Sequence, residues 1–173
     1  MNLPITDYVL LIFLSVSVYT DITRRKVYNW TTLSALILGF GFNFLISGTA
    51  GLKESALGMM SGFLFLFFFY LLGGMGAGDV KFMAAVGALK GYHFVIMAGL
   101  YGAIAGGIGA ILVILAKKNF LPTLKKLFHG IIGFFAFKSP EALKFSEENA
   151  TFLPYTVFLS IGIIIRWIEI LPK

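Results

Sequence analysis

Two aspartates stand where so apolar a chain is expected to avoid charge. Asp79 closes Gly76-Ala77-Gly78-Asp79, between the apolar run of residues 57–72 and a second run that starts at Val80. Asp21 ends the first apolar run of the chain in the same way. A carboxylate at the border of a lipid-soluble stretch costs on the order of a few kcal/mol, so each marks a functional site by default. Two such acids among only eight acidic residues suggest paired-carboxylate chemistry. Water is a poor nucleophile and a peptide amine a poor leaving group. One ionised carboxyl takes a proton from water, while a second, protonated, donates a hydrogen bond to the carbonyl oxygen. Like charges at contact distance do not both ionise easily, so the pair holds one proton. Its apparent pKa values belong to the pair.

Each acid also has a plainer reading. Asp21 fits a span-end residue beside water, paired with Arg24 or Arg25. Asp79 fits an N-cap that satisfies the first amides of the next helix. The glycines favour the functional reading of Asp79: Gly76 and Gly78 permit unusual dihedrals and leave room for a substrate strand against the backbone. Lys81 either holds the acid ionised, reaches lipid headgroups, or is one more inward positive charge. His93 and His129 read as interfacial polar groups, and Arg166 with Glu169 as an i,i+3 surface pair. Cysteine is absent, which excludes disulfides, thiolate catalysis and cysteine metal sites. No histidine spacing suits a metal, so no metal and no cofactor is expected.

These residues must be held by membrane helices. Of the 173 residues, 58% are hydrophobic, and the mean hydropathy is +0.91. That leaves no room for a separate soluble domain, so residues 1–173 are expected to form one integral membrane unit. The 19 Phe and 20 Gly fit packed helices, with bulk toward lipid and glycines at close approaches. Expected spans are residues 5–20, 30–46, 55–72, 80–90 or somewhat beyond, a run ending near Ala116, and 152–171. The fourth is short. Either its helix continues past His93 to a turn near Gly99, or it starts below the membrane surface and sets Asp79 in a recess. Residues 119–144 carry Leu124, Leu127, Phe128, Ile131 and Phe135 at helical spacing, with Lys125, Lys126 and His129 on other faces. This predicts an amphipathic helix on the inner surface. The expected fold is therefore an all-α bundle of six transmembrane helices, with that amphipathic helix before the last span. Gly58/Gly62, Gly87/Gly91 and Gly102/Gly106 are helix-packing signals.

The charges orient the bundle. No Lys or Arg precedes Arg24, so the first run is not expected to be a cleaved signal. With the N-terminus outside, ten of the fourteen Lys and Arg fall on inner segments. Both aspartates then face the cytoplasm. A net charge of +6 distributed in this way points to the bilayer and away from nucleic acid.

Taken together the motifs resemble the prepilin leader peptidase family, including archaeal preflagellin peptidases. The family's first motif begins with aspartate, runs through Arg-rich positions and ends in Ile-Pro-Asn. Here it reads Asp21-Ile22-Thr23-Arg24-Arg25-Lys26-Val27-Tyr28-Asn29, with Val27 for Ile, Tyr28 for Pro and Thr23 for a frequent Arg. The second, Gly-x-Gly-Asp-x-Lys, is met by Gly76-Ala77-Gly78-Asp79-Val80-Lys81. Residues 153–162, which contain Leu153-Pro154-Tyr155-Thr156, resemble a segment of the family's last helix, so the likeness extends over nearly the whole chain. The resemblance implies that Asp21 and Asp79 are the catalytic pair. Gly76, Gly78, Lys81 and Asn29 would position the substrate, a pilin-like or flagellin-like precursor. Its basic leader would be cut at the cytoplasmic border of the inner membrane. Larger members carry a cysteine-bearing cytoplasmic segment and methylate the new N-terminus; this chain looks like the short form of Tad/Flp-type or archaeal systems. Arg24, Arg25 and Lys26 would repel a basic leader, and are assigned to lipid phosphates or an acidic group of the mature pilin. A proton- or cation-coupled transporter using the same acids, and a non-catalytic pilus assembly subunit, are the alternatives. A transporter predicts paired broken helices, and no such symmetry is visible.

Overall fold

The computed structural model describes residues 3–71, 75–116 and 155–171, and among these it is all helical. Helix α1 is Ile5–Arg24, α2 Asn29–Leu71, α3 Ala77–Lys90, α4 Tyr92–Ala116 and α5 Tyr155–Ile170. Three of them, α1, α2 and α4, are long and apolar enough to cross a membrane. Large apolar side chains cover the outside: Ile12, Tyr19 and Leu45 are each more than 60% exposed. That distribution suits lipid as solvent.

The expected second and third spans are the two arms of α2. Gly48, at φ 58 and ψ −137, reverses the helix. The Asn43 amide then reaches Ser55 Oγ at 2.8 Å. In a straight helix those residues would stand roughly 18 Å apart. The two arms hold α3 between them. Gly39 of the first arm lies against the Ala88 backbone, and Gly58 and Gly62 of the second lie against the backbones of Gly87 and Met83. At these crossings main chain meets main chain, as small-residue pairs allow. Further along the bundle, Gly102 of α4 meets Leu159 and Gly162 of α5.

The fourth span does not continue to Gly99. α3 stops at Lys90, and Gly91, at φ 82, turns the chain directly into α4. A left-handed residue favours glycine, and Asn43 secures the stop by donating to the Ala88 and Leu89 carbonyls at 3.0 and 3.3 Å. These carbonyls have no partner within their own helix. With 14 residues, α3 is roughly 21 Å long, shorter than the ~30 Å of bilayer hydrocarbon. It is enclosed on nearly all sides, with Val80 and every residue from Phe82 to Leu89 buried. Lys90 is no free loop cation. It forms an ion pair with Asp7 of α1, both largely buried, and lies 5.7 Å from the centre of the Phe94 ring. The expected amphipathic helix at 119–144 lies outside the described residues.

Candidate active site

The ion pair and the Gly91 turn occupy one end of the bundle; both candidate acids occupy the other. α1 runs from Asp7 to Asp21, and α3 runs back from Asp79 to Lys90. The antiparallel pairing that joins Asp7 to Lys90 therefore brings Asp21 near Asp79. Phe13 and Phe82 stack at 5.3 Å midway along this contact. α1 ends in a left-handed Arg25 (φ 52), whose N–H donates to the Asp21 carbonyl at 2.8 Å. The chain then turns through residues 25–28 toward α2.

Asp21 and Asp79 line the same pocket, of about 360 Å³, together with Gly76, Gly78, Asn29 and the loop Arg25–Tyr28. Asp79 is not the N-cap that sequence suggested. Gly76 caps α3, and Asp79 lies three residues later, where its Oδ2 accepts the Gly76 N–H at 3.3 Å. An acid in that first turn also meets the positive end of the helix dipole. Neither Gly76 nor Gly78 has a positive φ, so the unusual dihedrals expected of them are absent. Their role here is space. A Cβ on Gly78 would touch only Val27 at 3.5 Å, and one on Gly76 only Asp79 Oδ2 at 3.6 Å among side chains. Both positions therefore leave the pocket floor open.

The remaining candidates sit at the rim. Lys81 donates to Asn29 Oδ1 at 3.1 Å, not to Asp79. Arg24 donates to the Tyr28 hydroxyl at 2.9 Å. Among the described residues no ion pair joins Asp21 to Arg24 or Arg25. Arg166 and Glu169 pair at 2.7 Å near the end of α5 remote from the acids. Asn29 and Lys81 also line a second, apolar cavity of about 590 Å³ between the α2 arms and α3. The two cavities meet at Asn29.

Sequence reasoning did not assign a role to Thr156. This second residue of α5 is fully buried, and its hydroxyl donates to Asp79 Oδ1 at 2.9 Å. Asp21 Oδ2 is itself buried, with no hydrogen-bond partner among the described residues. The N-termini of α2, α3 and α5 all converge on these carboxyls, and their partial positive charges offset part of the cost of burying an anion. Two acids, a hydroxyl held on one of them and an open polar pocket can activate a water and polarise a carbonyl. Among the described residues no cluster suits a metal ion.

Residues 8–111 match the model of the type IV leader peptidase family. That stretch carries both motifs and stops short of residues 153–162, which sequence likeness had included. No curated protein and no solved structure matches the chain.

Proposed function

The chain belongs to the type IV leader peptidase family, and on that premise we propose that it is an aspartic endopeptidase using Asp21 and Asp79 on pilin-like or flagellin-like precursors. The observation that carries this reading is the pocket that Asp21 and Asp79 line together, with the Thr156 hydroxyl held on Asp79. In the proposed arrangement the chain is a single unit crossing the inner membrane six times, with the N-terminus outside and the acids toward the cytoplasm.

The precursor's leader enters the pocket in extended form, passing over Gly76 and Gly78, which carry no side chain of their own. One ionised carboxyl takes a proton from water as its oxygen attacks the scissile carbonyl carbon. The other, protonated, hydrogen-bonds the carbonyl oxygen as negative charge builds there. Collapse of the tetrahedral intermediate breaks the C–N bond, and the proton taken from water goes to the departing amine. Each turnover returns the pair to one proton. Lys81 and Asn29 stand at the rim, where the polar pocket meets the apolar cavity, suited to a substrate that changes from polar leader to apolar helix.

The test is co-expression with a candidate precursor, with leader removal followed by gel shift. Asp21→Asn and Asp79→Asn are each expected to abolish cleavage while the protein remains inserted. Arg166→Ala, whose partner Glu169 lies far from the pocket, is expected to cleave normally. An inserted Asn variant that cleaves at the wild-type rate refutes the paired-acid assignment.

A further inference from the structure

We propose that Thr156 is a positioning residue that holds the Asp79 carboxyl in register with Asp21. This rests on the paired-acid reading above. A threonine hydroxyl in a helix commonly gives its proton to a carbonyl of the preceding turn. Thr156 gives its proton elsewhere. It donates across the bundle to Asp79 Oδ1 at 2.9 Å, from a fully buried position.

The two oxygens of Asp79 are held unequally. Among the described residues, Oδ2 accepts only the longer 3.3 Å contact from Gly76, within its own helical turn. That contact ties the carboxyl to α3 and says nothing about where Asp21 is. Thr156 is the contact that refers Asp79 to another helix, and α5 is also packed against α1. Asp21 and Asp79 line one pocket. Holding Asp79 to α5, which packs on both α1 and α3, therefore fixes how its carboxyl faces Asp21.

The experiment compares Thr156→Val, Thr156→Ser and Asp79→Asn in proteoliposomes, measuring kcat and KM for precursor cleavage. Valine keeps the shape and removes the hydroxyl; serine keeps the hydroxyl and removes the methyl. Loss of one hydrogen bond to a charged group predicts that Thr156→Val lowers kcat roughly ten- to hundredfold. KM stays within about twofold, because Thr156 sits behind the acids. Thr156→Ser is expected to recover most of the rate. Thr156→Ala removes the same hydroxyl and replaces the valine variant if that one does not accumulate in the membrane. A wild-type kcat in the variant without the hydroxyl overturns the proposal. So does a rise in KM at constant kcat, which would make Thr156 a substrate contact. Failure of serine to rescue would reduce Thr156 to packing. The two readings separate cleanly: an active Asp79→Asn ends the paired-acid mechanism, whereas an inactive Asp79→Asn beside a fully active Thr156→Val ends only the role given to Thr156.

Discussion

Replacing Gly87 with alanine adds one methyl group to the crossing that positions α3. A Cβ on Gly87 would meet the carbonyl of Gly58, and one on Gly58 would meet the carbonyl of Gly87. Both obstacles are main chain, so no rotamer change relieves them, and the helices must separate. Overpacking of this kind costs about 1–3 kcal/mol. Alanine returns up to ~1 kcal/mol through its better helix propensity. Main-chain obstruction from both sides puts the overpacking cost in the upper half of its range, so the expected net loss is about 1–2 kcal/mol. Gly41, on the first arm of α2, is the control: its added Cβ meets nothing within 4 Å among the described residues. There the propensity gain stands alone, so Gly41→Ala is expected to be stabilised by up to ~1 kcal/mol. The same chemical change should therefore have opposite signs at two helical glycines. Reversible unfolding in detergent micelles reads the difference. Cleavage gives a second measure, because Asp79 lies two turns away on the same helix, roughly 12 Å along its axis. A shift of about 1 Å in its carboxyl can cost as much as ~10²-fold in rate, so Gly87→Ala is expected to lose about ten- to a hundredfold in kcat and Gly41→Ala none. Equal stability of the two variants, or full activity in Gly87→Ala, would refute the argument that backbone contact at this crossing sets the position of α3.

The buried Asp7–Lys90 pair is expected to behave asymmetrically in a double-mutant cycle. Asp7→Asn or Lys90→Met alone strands a buried charge or its polar partner and should cost about 3–5 kcal/mol in unfolding, while replacing both with apolar residues should recover most of that; additive losses would show that the pair is not coupled. A pair of acids working with one shared proton also predicts a bell-shaped pH dependence of kcat/KM, because the rate falls when the proton is lost and again when a second is gained. A profile that rises to a plateau with a single limb would mean that only one of the two groups titrates in the reaction.

Much of the helical content was legible because apolar runs and their polar ends mark helices without reference to anything distant. The acids at two of those ends were legible for the same reason, as were Gly58 and Gly62 as packing positions. What escaped depended on partners far along the chain. Thr156 looks like any span-end threonine until it meets a carboxylate 77 residues away. Asp7 and Lys90 read as separate border charges until the antiparallel course of α1 and α3 brings them together. The end of α3 was left open between Lys90 and Gly99 because hydropathy continues through Gly91 into α4, while the break is made by a dihedral and by Asn43 from another helix. Gly76 and Gly78 were read both for conformational freedom and for the room they leave, and both adopt φ values open to other residues; hydropathy and spacing do not separate a glycine kept for space from one kept for its dihedrals.

The turns at Gly48 and Gly91 have a mechanical consequence. Each reverses the chain in a single glycine, and both lie at the end where Asp7 grips Lys90 and Asn43 grips the last carbonyls of α3. At the opposite end α1 passes to α2 through residues 25–28. One-residue turns leave the chain little slack, so the far pole is held like the rivet of a pair of tongs. Asp21, Asp79 and Thr156 sit at the jaws, where the proposed substrate enters.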